Sequence, residues 1–262
     1  MKNVRTVLVH HHTSERQSVM DESIAVESLL RISVNGSSLT NLLGSPEHAR
    51  ELALGHLMTQ YGLRPRDVES IAVTHREGSV NIEVATEKEH DLTQRLGVVT
   101  SSCGACDLSN LNELVNDTRA VTNPSCVFEL ETLMKMLHTM RDQQKGFRMT
   151  GGMHAAGLYA ENGTSLVVME DIGRHNAVDK AYGAWYEQSL ARPNVLLLSG
   201  RCGWDIVAKA AAMDTPIVVS FGAASSLAVE TARASNMTLI TFVKGEKAII
   251  IGPVEGRFHR KH

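Results

Sequence analysis

The chain has 262 residues, 43% of them hydrophobic and 21% charged, the balance of a globular protein large enough for a substantial core and two unequal domains. A formal charge of −3 gives no support to a nucleic-acid-binding surface, which needs a concentrated basic patch. No apolar run reaches membrane-spanning length and the first residues lack a charged-then-apolar leader pattern, so no membrane association is expected and the expected compartment is the cytoplasm.

His10-His11-His12 reads as part of a disordered polar terminus or a vector remnant rather than a metal site. From Glu22 to Ser33, Ile24, Val26, Leu29, Leu30 and Ile32 predict a strand, and Asn35-Gly36 predicts a tight turn into Ser38–Leu43. Ser45-Pro46-Glu47 has the signature of a helix start, with a hydroxyl at the cap and Pro in the first turn. That helix carries Leu52, Leu54, Leu57 and Met58 and stops near Tyr61-Gly62. Val68–His75 and Ser79–Thr86 alternate around Glu77-Gly78, which predicts a second hairpin. Residues 1–120 are therefore expected to form a small α+β domain ending in a cysteine loop and the helix after it.

The polar stretch from Asn116 to Ser125, with Asn123-Pro124 inside it, is the candidate linker. An amphipathic helix is predicted over Phe128–Arg141, followed by a glycine-containing loop before Gly157–Ala160. Residues 121–262 then settle into an alternating rhythm. Strands are predicted at Ser165–Met169, Val195–Leu198, Ile217–Phe221, Leu239–Val243 and Ala248–Ile251. Helices are predicted at about 176–190, 204–213 and 226–235. Such alternation implies an α/β domain with a largely parallel or mixed sheet, whose ligands bind beyond the carboxyl ends of the strands. Polar and glycine residues fall at those ends: Glu170 to His175, Ser199-Gly200-Arg201, Ser220 to Ala223, and Lys244-Gly245-Glu246-Lys247.

The centre of the chemistry is Thr100-Ser101-Ser102-Cys103-Gly104-Ala105-Cys106, two thiols in a small-residue turn before a helical pattern at Leu108, Leu111, Leu114 and Val115. A thiol at a helix N-terminus is favoured as thiolate, the nucleophilic form. A C-x-x-C pair serves equally as metal ligands, as a redox couple or in sulfur chemistry, and the pair alone does not choose. A thioredoxin-like role needs the motif directly after the first strand of a βαβ unit, and the surrounding chain does not fit one. A zinc deaminase would use an H-x-E followed by P-C-x-x-C. His75-Arg76-Glu77 could supply the first part, but Ser102 stands where proline is required and His75 and Glu77 fall in a strand and turn. Cys126 and Cys202 are too far apart for a metal spacing and read as small buried hydrophobes, so no metal ligands are assigned. In Thr150-Gly151-Gly152-Met153-His154-Ala155-Ala156, paired glycines let backbone approach a ligand, and His154 could hydrogen-bond or move a proton. Glu170-Asp171-Ile172-Gly173-Arg174-His175-Asn176 joins a strand to a helix start, where Arg174, His175 and backbone amides could hold phosphate and the two acids could orient them.

With Ser102-Cys103-Gly104-Ala105-Cys106, Thr150 to Ala156, and Glu170 to Asn176 continuing through Ala177-Val178-Asp179-Lys180, all in order, the chain resembles the FdhD family of formate dehydrogenase accessory sulfurtransferases from about Asp21 to Gly252. That resemblance implies a cytidine-deaminase-like core for residues 121–262 and a homodimer. It implies that a cysteine desulfurase hands sulfur to the C-x-x-C loop, for delivery to the bis-guanine-dinucleotide form of the molybdenum cofactor required by formate dehydrogenase. Carried over by position, Cys103 would bear the persulfide and Cys106 would assist. Phe242, Val243, Lys244, Gly245, Glu246 and Lys247 match the family's cofactor-binding segment, with Arg174, His175 and His154 completing the crevice. Gly152 stands where some members have a third cysteine, so that thiol is not needed here, and Glu246 replaces a small or neutral residue. The alternatives are a non-enzymatic molybdenum-cofactor chaperone and, more remotely, the zinc hydrolase.

Overall fold

The computed structural model describes residues 2–87, 92, 111–125 and 127–259. Among these the strands form three sheets. The first is a hairpin of β1 (Val4–His12) and β2 (Gln17–Ala25), antiparallel and in register from Val4↔Ala25 to His12↔Gln17. The histidine run therefore ends a strand and is not a disordered terminus. Thr13 closes the turn: its backbone N–H donates to Arg16 O at 2.9 Å, and its hydroxyl accepts from Arg16 N at 3.1 Å. The single strand expected over residues 22–33 is two strands. Its first half belongs to β2, and the chain breaks at Val26-Glu27 before joining another sheet.

That second sheet has the order β4-β3-β6-β5, from β3 (Ser28–Val34), β4 (Ser37–Gly44), β5 (Val68–Arg76) and β6 (Ser79–Thr86). Both predicted hairpins are present, joined through a parallel β3–β6 pair. Asn35 and Gly36 take positive φ of 48° and 79°, the backbone such a turn requires. Alternation places Leu30, Ile32, Val80, Ile82 and Val84 on one face, where they bury against Leu52, Ala53 and Leu57. The helix that supplies these, α1 (Ala49–His56), runs into a π-helical turn over Leu57–Tyr61. Its cap is His48, in left-handed backbone, rather than Ser45. Ser45 serves elsewhere, as described below.

The third sheet has the order β12-β11-β10-β9-β7-β8. Its strands are β7 (His154–Tyr159), β8 (Ser165–Asp171), β9 (Val195–Leu198), β10 (Ile217–Ser220), β11 (Thr238–Lys244) and β12 (Lys247–Ile251). β9, β10 and β11 are parallel neighbours, while β7 runs antiparallel to both β8 and β9, and β12 antiparallel to β11. The sheet is thus mixed. In chain order the remaining helices are α2 (Leu111–Asn116), α3 (Leu130–Gln143), α4 (Lys145–Thr150), α5 (Arg174–Glu187), α6 (Trp204–Ala212) and α7 (Ser226–Ala234). One sheet face packs on α3 through Leu133, Leu137 and Met140, and the other on α5, α6 and α7 through Ala181, Ile206 and Ala228. The short helix α4 occupies part of what the sequence predicts as loop.

Two features bind the small sheet to the large one. α1 crosses α5 at glycines: a Cβ on Gly55 would lie 1.8 Å from the Asp179 carbonyl oxygen, and one on Gly183 1.9 Å from that of Glu51. The second is the expected linker, which is anchored. Val121 N donates to Ser235 O at 2.9 Å, and Thr122 N to Asp214 Oδ1 at 2.7 Å. Buried Arg257 holds Asn123 Oδ1 at 3.0 Å and Pro216 O at 2.8 Å.

Candidate functional site

Strand direction assembles the site. β8 runs antiparallel to β7, and β7 antiparallel to β9, so β8, β9, β10 and β11 all point the same way. Their carboxyl ends, at Asp171, Leu198, Ser220 and Lys244, lie on one edge, and reversed β7 brings its first residue, His154, to that edge. The expected convergence of strand ends is present. The loops beyond them interlock: Gly222 N donates to Gly200 O at 3.3 Å, Cys202 N to Ala223 O at 2.9 Å, and Phe242 N to Gly222 O at 3.1 Å. A Cβ on Gly222 would lie 2.8 Å from Arg201 backbone, and one on Gly200 would lie 2.9 Å from His154 Nδ1. Glycine is required at both places for the approach.

The edge is basic. Burial and the charges of Arg174 and Arg201 hold the His154 pKa below the usual imidazole value, so it is neutral near pH 7. Arg174 opens α5, and its Nε is buried without a partner among the described residues. His175 Nε2 lies against the Asp205 carboxylate of α6. Burial nevertheless pushes His175 down to about 4, against the pull of Asp205 and with help from Arg174 and Lys209. Phe242 stands 52% exposed with φ of 53°, lifted out by the register shift between Thr241 and Lys244. A bulky residue in left-handed backbone is strained, and such strain concentrates at functional positions. Val243 is buried beside it, and exposed Lys244, Gly245, Glu246 and Lys247 form the turn into β12.

The acids of the strand-to-helix motif do something other than orient Arg174 and His175. Glu170 accepts from Gly146 N at 2.7 Å and Phe147 N at 2.8 Å, holding the start of α4. Asp171 is completely buried: it accepts from Ser45 N, Gly173 N and Asn176 Nδ2 and pairs with Lys180 Nζ at 2.6 Å. Lys180 also donates to Ser45 O, and Ser45 Oγ accepts from Ile172 N, which is why Ser45 cannot cap α1. Asp179 belongs to a second buried cluster with Lys209 Nζ at 2.7 Å, Thr59 Oγ1 at 2.7 Å and His56 Nδ1 at 3.1 Å. Burial would raise its pKa, but Lys209 and His56 overcome that and hold it at about 2.

Beside the edge, a cavity of about 400 Å³ opens between the end of α3, α4 and the ends of β9 and β10, lined by Arg141, Phe147, His154, Ser199 and Phe221 among others. Arg141 sits between two rings, its Cζ 6.0 Å from the Phe147 centroid and 5.5 Å from that of Phe221. Sequence reasoning misses Arg141 and Asp205, because a polar residue at a helix end and an acid in a first turn look like ordinary surface. The Cys103–Cys106 loop and Cys126 lie outside the described residues. His75 is exposed near the end of β5 and Glu77 sits in the turn after it. Among the described residues no three of His, Cys, Asp and Glu gather to hold a metal, and no helix is long and apolar enough to cross a membrane. Cys202 is a buried free thiol that burial pushes up to about 12.

Relatives place these features in context. The chain is 37% identical over 252 residues to the sulfur carrier protein FdhD of Mycolicibacterium paratuberculosis, covering 90% of this chain and 92% of that protein. It is 32% identical to the protein of that name from Picrophilus torridus, over 88% of this chain and 89% of the relative. The fold is that of a crystal structure from Desulfotalea psychrophila, assigned as a formate dehydrogenase accessory protein, with a TM-score of 0.79 and 21% identity over 98% of this chain and all of that one. A sequence model of the FdhD/NarQ family matches residues 25–255, a span that includes both sheets joined through α1 and α5 and the basic strand-end edge. The chain therefore belongs to the FdhD/NarQ family.

Proposed function

We propose that this protein is a sulfurtransferase, carrying sulfur as a persulfide on Cys103 from a cysteine desulfurase to the bis-guanine-dinucleotide molybdenum cofactor needed by formate dehydrogenase. The observation that carries the reading is the likeness, across nine-tenths of the chain, to proteins named sulfur carriers. The Cys103 thiolate attacks the outer sulfur of the donor's persulfide. A Cys103–sulfur bond forms, the donor's sulfur–sulfur bond breaks, and the donor cysteine leaves as thiolate. For delivery, the Cys106 thiolate attacks Cys103 Sγ. The outer sulfur leaves as sulfide with the bonding pair, able to ligate molybdenum, and the resulting disulfide is reset by a cytoplasmic thiol reductant.

The cofactor, as bound substrate, lies along the basic edge. Arg174, neutral His154 and Lys244 and Lys247 suit phosphates, and exposed Phe242 presents a face to a planar group. His175, held by Asp205, positions the start of α5 there. Glu246, exposed in the turn, keeps the phosphates on the lysine side. The division at residue 120, the cytidine-deaminase-like character of residues 121–262, the homodimer and the cytoplasmic location all belong to this proposal, with the resemblance as their support. The test is reconstitution of formate dehydrogenase with wild-type and Cys103→Ala protein. The variant is expected to yield enzyme lacking its sulfido ligand and activity; full activity with it would rule the reading out.

A further inference from the structure

We propose that the free edge of β12, with the apolar cavity beside it, is a docking surface for an extended segment of a partner protein, apolar at its centre and basic at its flanks. This goes beyond the sulfur-transfer reading and does not rest on it. β12 stands at one end of the six-stranded sheet and pairs only with β11 among the described residues. Its outer row of backbone groups therefore has no described strand beside it. Four of its five residues, Ala248 to Ile251, are apolar, yet none is fully buried, whereas β9 and β10 are buried throughout. Ile249 is 50% exposed. An open edge of this composition is a template for a further strand unless charge, proline or a covering element blocks it. Lys247 and Pro253 flank the two ends and leave the centre open.

Alternation sets what an added strand meets. Ala248 and Ile250 turn to the α3 face of the sheet, and Ile251 to the opposite face, which puts Ile249 there as well. On the α3 face, Leu130, Ile250, Val254 and Phe258 help line a cavity of about 310 Å³. One side chain of the added strand fills this cavity, and its neighbours in sequence cover Ile249. The rim is acidic: Glu129, Glu131 and Glu255 line it, and no described lining residue is a lysine or arginine. His259 stands 3.7 Å from Glu129. Such a rim favours lysine or arginine in the arriving segment and disfavours acids. The surface also lies away from the strand-end crevice. β12 runs antiparallel to β11, so its last residue sits at the amino ends of β9 to β11. α3 spans the distance, with Leu130 at this cavity and Arg141 at the one beside the crevice. A partner docked here leaves the crevice open.

Fluorescence anisotropy on the full chain with labelled, end-capped peptides tests this. The probe is Lys-Arg-Val-Leu-Val-Arg-Lys, and two controls replace either both valines with proline or all four basic residues with glutamate. Wild type is expected to bind the probe saturably and about tenfold or more tightly than either control. Proline cannot donate to the edge, and glutamate meets like charge. Glu129→Lys should weaken the probe about threefold or more, and Val254→Ser about fivefold. Both residues are exposed, so neither change is expected to unfold the chain. Amide hydrogen exchange in β12 should slow when the probe is added. No saturable binding by wild type, equal affinity for the valine and proline peptides, or unchanged affinity in both variants overturns the proposal. A probe that binds only after residues 260–262 are removed makes the chain's own tail the occupant and also overturns it.

Discussion

At the scale of single residues, the run from Glu170 to Lys180 divides into two jobs that one motif conceals. Arg174 and His175 face the strand-end edge, while Asp171, Asn176, Asp179 and Lys180 are buried where the two large sheets meet. Arg174→Ala is expected to weaken guanine-nucleotide binding about tenfold without a change in melting temperature, as read by calorimetry and thermal denaturation. Asp171→Ala should behave in the opposite way. It leaves Lys180 buried with only the Ser45 carbonyl, and removing one partner of such a pair costs about 3–5 kcal/mol. Urea unfolding measures this, and an unchanged midpoint would show that the pair is not structural. The sequence made the motif visible as a strand leading into a helix. It could not sort binding members from structural ones, because Asp171's partners include Ser45, which is 126 positions away.

At the scale of elements, strong periodicity was legible and long-range anchoring was not. β4, β5, β6, β9, β10 and α3, α5, α6 and α7 lie where alternation or helical spacing predicts them, within a few residues, whereas β3 is only the second half of the strand expected over 22–33. The β1–β2 hairpin was hidden because its strands are mostly exposed and so lack an apolar alternation. The 116–125 stretch is polar and rich in turn formers, yet partners that anchor it, Asp214 and Asn236, lie 92 and 115 positions further on. The contact of α1 with α5 is likewise invisible in either helix alone, since it depends on two glycines that local propensity counts as unfavourable. Gly183→Ala is expected to force the helices apart and cost at least about 1–3 kcal/mol, despite alanine's better helix propensity. A stabilising effect in thermal melts would contradict the close crossing.

For the whole molecule, strand direction makes the site: reversing β7 sets His154 among the ends of β8 to β11. It also fixes a pH response. His154 and His175 have folded pKa values below their unfolded 6.5, so the unfolded chain binds more protons as acidity rises. Stability should therefore fall as pH drops from about 6.5 towards 4. Asp179 adds a second loss between its unfolded 3.8 and about 2. His48, raised by its hydrogen bond to Glu51, works the other way, whereas Glu51, lowered by the same contact, adds to the acid loss; both contributions are small for a partly exposed pair. Unfolding midpoints across pH 4–8 should show this slope, and it should be blunted in His175→Gln.

The central claim is that Cys103 accepts sulfur, and intact mass after incubation with a cysteine desulfurase and cysteine tests it most directly. The account predicts a reducible gain of about 32 Da in wild type and none in Cys103→Ala. An unmodified wild-type protein in the presence of an active desulfurase, or an equal gain in the variant, would contradict it.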